Sequence, residues 1–584
     1  MYTAILTVAE IASFLGYFVA ATGFKLTVLH TNDFHSRFEE TNPYGTVCKA
    51  QDLAKDGCYG GVARRATEIK RIRAKENNVI LLSAGDVFTG TLWYKEYRGN
   101  ATWSVMNEMG YDAMTLGNHD FDDGPAITAR FLRNIKCPVV VSNVNCTLEP
   151  ALMDNGRPLI LQSTILTVGG KRIGLAGYVT HDTPRISSPG PGQLVKFAPE
   201  VAAVQSAVDD LKRQGVNKII VLGHAEMEVD KAVARMVDGV DLLVGGHTHT
   251  FLYSGDKPPA QDVPEGPYPL VVTSEATPGK KVPIVHAYKF GKYLGRLDVE
   301  FDDKGDLTSW TGNPVLLDRS VAKDSALEQQ VQRMKGRVDK LASIKIGRSL
   351  VQLNGDRDVC WRGECNLGNV ITDAMVMTYA NKTATSMQWT GASVGLQTAG
   401  NIFKSIELTP EGYVTYGELF DAMPYSNTFD VLNMKGSDLR GVLEQSVRTW
   451  PSYTFLQVSG LKVSYDMSRE PMTRVIKVKV RCAQCLVPVY HDLNDTGIYK
   501  VITNSWIAGG GSGFSVFKRR LHLEKGDELE ADVVSKYIEW KSPIFTGEEG
   551  RVSFVTVESA ARALETNHVT LLTLSLVLSF ILHC

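Results

Sequence analysis

The stretch Tyr111-Asp112-Ala113-Met114-Thr115-Leu116-Gly117-Asn118-His119-Asp120-Phe121-Asp122 runs from apolar residues through a glycine into a cluster of ligand-type side chains. A short apolar run closed by a turn signal reads as a buried strand. In α/β proteins the carboxyl ends of strands are where sites are assembled. Six residues in a turn carry little alone, so their weight depends on whether other strand ends bear the same residue types.

They do. Lys25 to Leu29 is a short strand that stops at His30-Thr31-Asn32-Asp33-Phe34-His35. Gly61 to Lys75 has helical periodicity, and Asn78 to Ser83 is then a buried strand ending in Ala84-Gly85-Asp86. Lys218 to Leu222 leads into Gly223-His224, and Val240 to Val244 into Gly245-Gly246-His247-Thr248-His249. Each histidine alone reads as an ordinary polar or capping residue, and Gly-Gly before His247 as a tight turn, since Gly supplies positive φ. His181, His286 and His491 lack a strand-end setting and are read as structural or surface residues.

Taken together, the strand ends offer what a pair of divalent ions needs. His nitrogen and carboxylate oxygen are their donors, and two ions about 3.5–4 Å apart clamp the attacking and leaving oxygens of a phosphoryl transfer. The expected assignment places Asp33, His35 and His249 on one ion, Asn118, His224 and His247 on the other, and Asp86 between them as the bridge. The metal expected is Zn, although these donors suit Mn, Co and Fe as well.

The remaining sequence sets the context. At 584 residues the chain is too long for one core, and roughly two to four domains are expected. A formal charge of -2 and a pI near 6.7 leave no global basic field, so a nucleic-acid polymer is not an expected partner. The segment 1–23, apolar from Ile11 to Ala21 and ending in small residues, reads as a secretory signal peptide, although Glu10 replaces the usual positive region. Pro-rich loops from Pro258 to Pro269 precede a β-rich stretch from Val282 to Phe301. Ser325 to Leu341 carries Leu327, Val331, Met334, Val338 and Leu341 at helical spacing and reads as a connector. The domains expected are therefore 24–320, a linker helix over 321–345, and 346–558 with further α/β patterning.

Segment 559–584 has small residues at Ser559, Ala560 and Ala561, a polar spacer, and an apolar tail from Val569 to Leu582. That order matches a signal for glycosylphosphatidylinositol (GPI) attachment, with Ser559 as the attachment residue and the tail removed. A tail anchor and a buried terminal helix are the alternatives; a spanning helix needs about 20 apolar residues. Of nine cysteines, Cys584 lies in that tail, which leaves eight. Their spacing suggests Cys48 with Cys58, Cys137 with Cys146, Cys360 with Cys365 and Cys482 with Cys485, out of on the order of 100 pairings. Cys482-Ala483-Gln484-Cys485 is either a redox pair or a structural staple, and no thioredoxin-like strand-to-helix context surrounds it. Asn100, Asn145, Asn381 and Asn494 each begin a glycosylation sequon, as in an exported protein.

The stretches Leu29 to His35, Gly60-Gly61-Val62-Ala63-Arg64, Ala84-Gly85-Asp86, Tyr111 to His119 and Val244 to Tyr253 resemble the 5′-nucleotidase family, within the calcineurin-like metallophosphoesterases. The likeness is to animal GPI-anchored ecto-5′-nucleotidases and arthropod apyrases. It extends into the second half at Glu364-Cys365-Asn366-Leu367-Gly368-Asn369 and Thr428-Phe429-Asp430. The resemblance implies an N-terminal metallophosphatase domain built as a four-layer α/β sandwich, a linking helix, and a C-terminal α/β nucleotide-binding domain that rotates to carry substrate to the metals. It also implies that Asn118 touches the phosphate and that His119, oriented by Asp122, stabilises the transition state. Tyr425 and Trp506 stand where the family stacks the base, and a homodimer through the second domain is implied as well.

The second half departs from the family in three places. An Asn-Gly-Gly-Gly-Ile-Arg loop is replaced by Gln397-Thr398-Ala399-Gly400-Asn401-Ile402-Phe403-Lys404, in which only Lys404 could stand in for the Arg, without its bidentate fork. Trp361 follows Cys360 where the family has Arg, with Arg362 one place later, and Ser512 occupies the position of a ribose-binding Asp. Three functions are therefore expected in order: extracellular hydrolysis of nucleoside 5′-monophosphates such as AMP, apyrase-like hydrolysis of ATP, ADP or other phosphoesters, and a catalytically weak nucleotide- or protein-binding surface molecule.

Overall fold

The computed structural model describes residues 23–43, 45–187, 190–425, 427–526 and 528–555. The expected signal peptide, apart from Gly23, and the expected anchor signal with Ser559 lie outside them.

The strands of the first half, in chain order, are β1 (Phe24–Thr31), β2 (Val79–Ser83), β3 (Ala113–Met114), β4 (Ser163–Val168), β5 (Lys171–Val179), β6 (Ile219–His224), β7 (Leu242–Gly245), β8 (Leu270–Thr273), β9 (Lys281–Val285), β10 (Tyr293–Phe301) and β11 (Leu307–Gly312). One sheet has the order β11-β10-β1-β2-β3 and the other β8-β9-β7-β6-β5-β4. Along each central strand successive side chains take opposite faces. Val28, Ile80, Leu82, Ile220, Leu222 and Val244 meet between the two sheets. Leu29 and Leu81 point the other way, onto α1 (Val62–Arg73), whose Val62, Ala66 and Ile69 share their cluster. Val221 and Leu243 point onto α2 (Glu200–Arg213) and α3 (Met227–Met236). The layers are thus helix, sheet, sheet, helix, and the near-continuous apolar strand sequences follow from burial on both faces.

Register brings the strand ends together. Thr31 pairs with Ser83 and Ser83 with Met114, so the turns after β1, β2 and β3 lie side by side. In the second sheet Gly223 pairs with Gly245, which aligns His224 with the turn that carries His247 and His249. The stacked sheets then place both sets of turns along one edge.

Helix α4 (Ser325–Ala342) follows, capped by Asp324, whose carboxylate accepts from the Leu327 N–H at 3.1 Å. Its Leu327, Val331 and Val338 are buried. The second half contains α5 (Arg357–Cys360), α6 (Asn366–Thr383), β12 (Val394–Thr398), α7 (Tyr416–Ala422), β13 (Phe429–Lys435), β14 (Leu456–Ser459), β15 (Ile498–Asn504), α8 (Ser505–Ala508), β16 (His522–Glu524) and α9 (Glu530–Lys541). Its main sheet runs β14-β12-β15-β13-β16. No helix among the described residues is long and apolar enough to cross a membrane.

Cys48–Cys58, Cys360–Cys365 and Cys482–Cys485 are bonded. The expected pairing of Cys137 with Cys146 is corrected: both are free, buried thiols. The chain between them is held by distant segments, with Val140 N–H bonded to the Met114 carbonyl and Val141 N–H to that of Leu161, and it then turns, with Val144 N–H bonded back to the Val141 carbonyl. Burial pushes the Cys137 thiol up to about 12. The four sequon asparagines are all exposed.

Candidate metal centre and nucleotide cleft

Five of the ligand-type residues, Asp33, His35, Asp86, His247 and His249, have positive φ between 49° and 73°. Side chains rarely adopt this backbone, and each instance carries strain of order 1 kcal/mol that the surrounding fold must hold. It lets each turn aim its side chain back across the edge. Gly117 serves the same packing: a Cβ there would sit 2.1 Å from Asp86 Oδ1.

Two triads result. Ligand atoms of Asp33, His35 and His249 lie within 4.8 Å of one another, as do those of Asp86, His224 and His247. Asp86 stands between them, its Oδ2 3.6 Å from His35 Nε2 and 3.1 Å from His224 Nε2. Nδ1 of His224 donates to the Ala84 carbonyl at 2.6 Å, which turns Nε2 toward the centre. The N–H of His247 donates to Asp33 Oδ2 at 3.0 Å, tying the sheets together.

The donor chemistry fits divalent cations. Burial favours the neutral acid of Asp33 and of Asp86, but the His249 and His224 imidazoles outweigh it for Asp33, and His224, His119 and His35 for Asp86. Both carboxylates stay ionised. Burial keeps His35 neutral by lowering it well below its usual range. Asn118 is fully buried, and both its Oδ1 and Nδ2 lack any hydrogen-bond partner in the protein. An orphaned amide is expensive unless a bound species satisfies it.

His119 lies beside the triads, its ring 5.4 Å from that of His35. Its N–H donates to Asp86 Oδ1 at 2.9 Å, and its Nδ1 lies 2.6 Å from Asp122 Oδ2. Burial opposes its protonation, but the Asp122 and Asp86 carboxylates prevail and hold it up at about 10. Burial raises Asp122 to about 7, so the shared proton resides on the imidazole. Asp120 accepts from the N–H groups of Gly117, Asp86, Val87 and Phe88 and so fixes the turns. His286 and His181 stand apart, paired with Asp230 and Glu200 respectively, and His491 is exposed.

The second half faces this edge. The indole of Trp506, on α8, lies 6.3 Å from the His247 ring and donates from Nε1 to Ser512 at 3.1 Å, so that hydroxyl serves the tryptophan. Tyr425 packs edge-on against Phe403 at 5.2 Å. Lys404 does not stand in for the arginine missing from its run, because Asp421 holds its ammonium at 2.6 Å. Arg357 of α5 instead places its guanidinium 5.9 Å from the Phe403 ring. From the first half, Arg37 stacks 3.9 Å over Phe290, and Lys289 lies 5.1 Å from the same ring, which packs against His35 and His249. Burial, with Arg357 and Arg37 nearby, pulls the Lys289 ammonium down to about 8. These three cations escape a sequence reading because none lies in a strand-end motif; Arg37, two residues past His35, had the clearest positional signal.

Residues 26–251 match the calcineurin-like phosphoesterase family and residues 345–519 the 5′-nucleotidase C-terminal domain. The 5′-nucleotidase of Rattus norvegicus is 41% identical over 547 residues, 93% of either chain. Snake venom 5′-nucleotidase of Naja atra is 42% identical over 536 residues, 91% of this chain and 99% of that one. The solved 5′-nucleotidase precursor from Thermus thermophilus superposes with a TM-score of 0.70 at 36% identity, covering 91% of this chain and all of the other. With two ligand triads at one sheet edge, a second domain facing them, and relatives of this identity along nearly its whole length, the chain belongs to the 5′-nucleotidase family.

Proposed function

We propose that this chain is an extracellular enzyme that hydrolyses nucleoside 5′-monophosphates, AMP among them, to nucleoside and phosphate. The observation that carries the reading is the position of Asp86 between the two triads, with His119 bonded to its other oxygen. Asp33, His35 and His249 would hold one divalent ion, Asn118, His224 and His247 the other, and Asp86 both. Two such ions supply charge neutralisation at the phosphoryl oxygens and a nucleophile from water at neutral pH. The protein's own part is positioning and proton placement. Asn118 offers its amide to the phosphate. Protonated His119, steered by Asp122, donates toward the oxygen on which negative charge grows. Tyr425 and Trp506 sandwich the base, and Arg357 supplies the cation that the 397–404 run lacks.

Hydrolysis of ADP and ATP is a second reading, favoured by the capture of Lys404 by Asp421, which loosens recognition of the nucleotide. Phosphate release from AMP, ADP and ATP by the protein loaded with Zn²⁺ or Mn²⁺ separates the two. AMP should be preferred; equal or faster release from ADP and ATP would favour the second, and release from none would defeat both. Dialysis against a chelator should abolish release and added metal restore it. Export and GPI anchoring at Ser559 rest on the sequence signals at 1–23 and 559–584. Cell-surface protein should be shed by phosphatidylinositol-specific phospholipase C; retention after treatment would overturn the anchor.

A further inference from the structure

Behind the second triad, four strands present one row of residues across the sheet. Tyr178 of β5 pairs with Gly223 of β6, and Gly223 with Gly245 of β7. Val244 pairs with Val285 of β9, so His286 continues the row beside Gly245. Two adjacent glycines leave a notch in an otherwise bulky sheet, and Asp230 of α3 fills it. The residue is fully buried, as are Tyr178 and His286. Asp230 Oδ1 accepts from the Tyr178 hydroxyl at 2.5 Å, and its Oδ2 lies 2.8 Å from His286 Nε2.

The glycines are there for this carboxylate. A Cβ on Gly223 would lie 2.4 Å from the Tyr178 hydroxyl and 3.0 Å from Asp230 Oδ1. One on Gly245 would lie 2.1 Å from His286 Nε2 and 2.5 Å from Asp230 Oδ2. Burying a carboxylate is unfavourable by several kcal/mol unless its oxygens are bonded, and here both are, from opposite sides of the notch. The carboxylate therefore staples β5 to β9 across β6 and β7. His224 directly follows Gly223, and His247 comes two residues after Gly245. Their rings lie 5.2 Å apart.

We propose that Asp230, bonded by Tyr178 and His286, is a positioning residue for the second metal-binding triad: it fixes the mutual placement of the β6 and β7 ends and thereby of His224 and His247. The inference rests on the two-ion reading above. Groups bonded directly to metal ligands typically contribute about 10- to 100-fold in metal affinity. Asp230 is bonded to Tyr178 and His286 and acts one step further back, through the strands, so its effect belongs at the lower end.

The test is a chelator-buffered Zn²⁺ titration that resolves the two sites, with elemental analysis for ions per chain and thermal unfolding of the metal-free protein as a folding control. Asp230→Ala should weaken one site by about tenfold or more and leave the other within about threefold. Asp230→Asn should stay within about threefold at both, because its oxygen still accepts from Tyr178 and its amide can donate to His286. Tyr178→Phe, a milder change in case Asp230→Ala does not fold, should weaken the same site by about three- to tenfold. A lower melting temperature with both affinities unchanged, or with both weakened equally, would overturn the positioning role while leaving the two-ion reading intact. Wild-type protein that binds fewer than two ions would overturn both.

Discussion

At the scale of single residues, His119 can act only if its proton and its direction are both set. Asp122 holds Nδ1 and Asp86 holds the backbone N–H, so the remaining ring nitrogen carries the proton toward the triads. Removing the imidazole as His119→Ala should lower kcat by about 10²- to 10⁴-fold with two ions still bound, checked by steady-state kinetics beside elemental analysis. Loss of metal with activity would instead make His119 a structural support. Asp86 is different, since it belongs to one triad while its Oδ2 lies 3.6 Å from His35 Nε2 of the other. Asp86→Ala should leave fewer than two ions per chain and no measurable phosphate release, and an active variant would contradict a bridging carboxylate. Trp506→Ala tests the cleft: stacking on a base contributes about 1–3 kcal/mol, so KM for AMP should rise about tenfold or more while kcat changes little. An unchanged KM would show that the indole only packs on His247.

At the scale of elements, α9 begins at a residue that belongs chemically to a different environment. The Glu530 carboxyl is fully buried and accepts from Gln397 of β12 at 3.1 Å and from Asn427 at 3.3 Å; Gln397 in turn accepts from Asn504 of β15 at 2.6 Å. One hydrogen-bonded set thus joins the segments carrying Tyr425 and Trp506 to the start of a helix. Burial raises Glu530 from 4.5 to about 8, which leaves the folded chain with one proton more than the unfolded chain between those values. Its contribution to stability is full below the unfolded value and is lost as pH rises through about 8. Glu530→Gln, which keeps a neutral side chain of the same shape, should therefore flatten the decline in unfolding free energy between about pH 5 and pH 8. Denaturant titrations at several pH values check this, and parallel slopes for the two proteins would refute it.

At the scale of the whole molecule, the two halves are joined through one continuous apolar cluster and through polar contacts between them. Lys95, in the helical segment Leu92–Tyr97 of the first half, lies 2.6 Å from both the Tyr416 hydroxyl of α7 and Asp532 Oδ1 of α9. Lys525 also donates to the Pro184 carbonyl, and the Trp506 ring lies 6.3 Å from that of His247, tilted by 60°. Because Lys95 and Asp532 are partly exposed, Lys95→Met should reduce stability by no more than about 1 kcal/mol. Its expected signature is a change of several-fold in kcat/KM for AMP, since the pair ties the second half to the first; unchanged kcat/KM would show that the contact is incidental. Much of the edge was legible in the sequence, because a strand followed by Gly and His, or by Asp-x-His, is a local pattern whose geometry is set by a few neighbouring residues. The same holds for the row of Leu327, Val331 and Val338 in α4, and for the pairs Cys48–Cys58, Cys360–Cys365 and Cys482–Cys485. The fate of Lys404, the arrival of Arg357 at Phe403, the separation of Cys137 from Cys146 and the notch filled by Asp230 were decided only by the tertiary structure. Each depends on which distant group lies opposite: His286 meets Asp230 from 56 positions away. The sequence alone therefore determined the chemistry gathered at the sheet edge, while packing across sheets and between halves decided what positions that chemistry and which charges face the substrate.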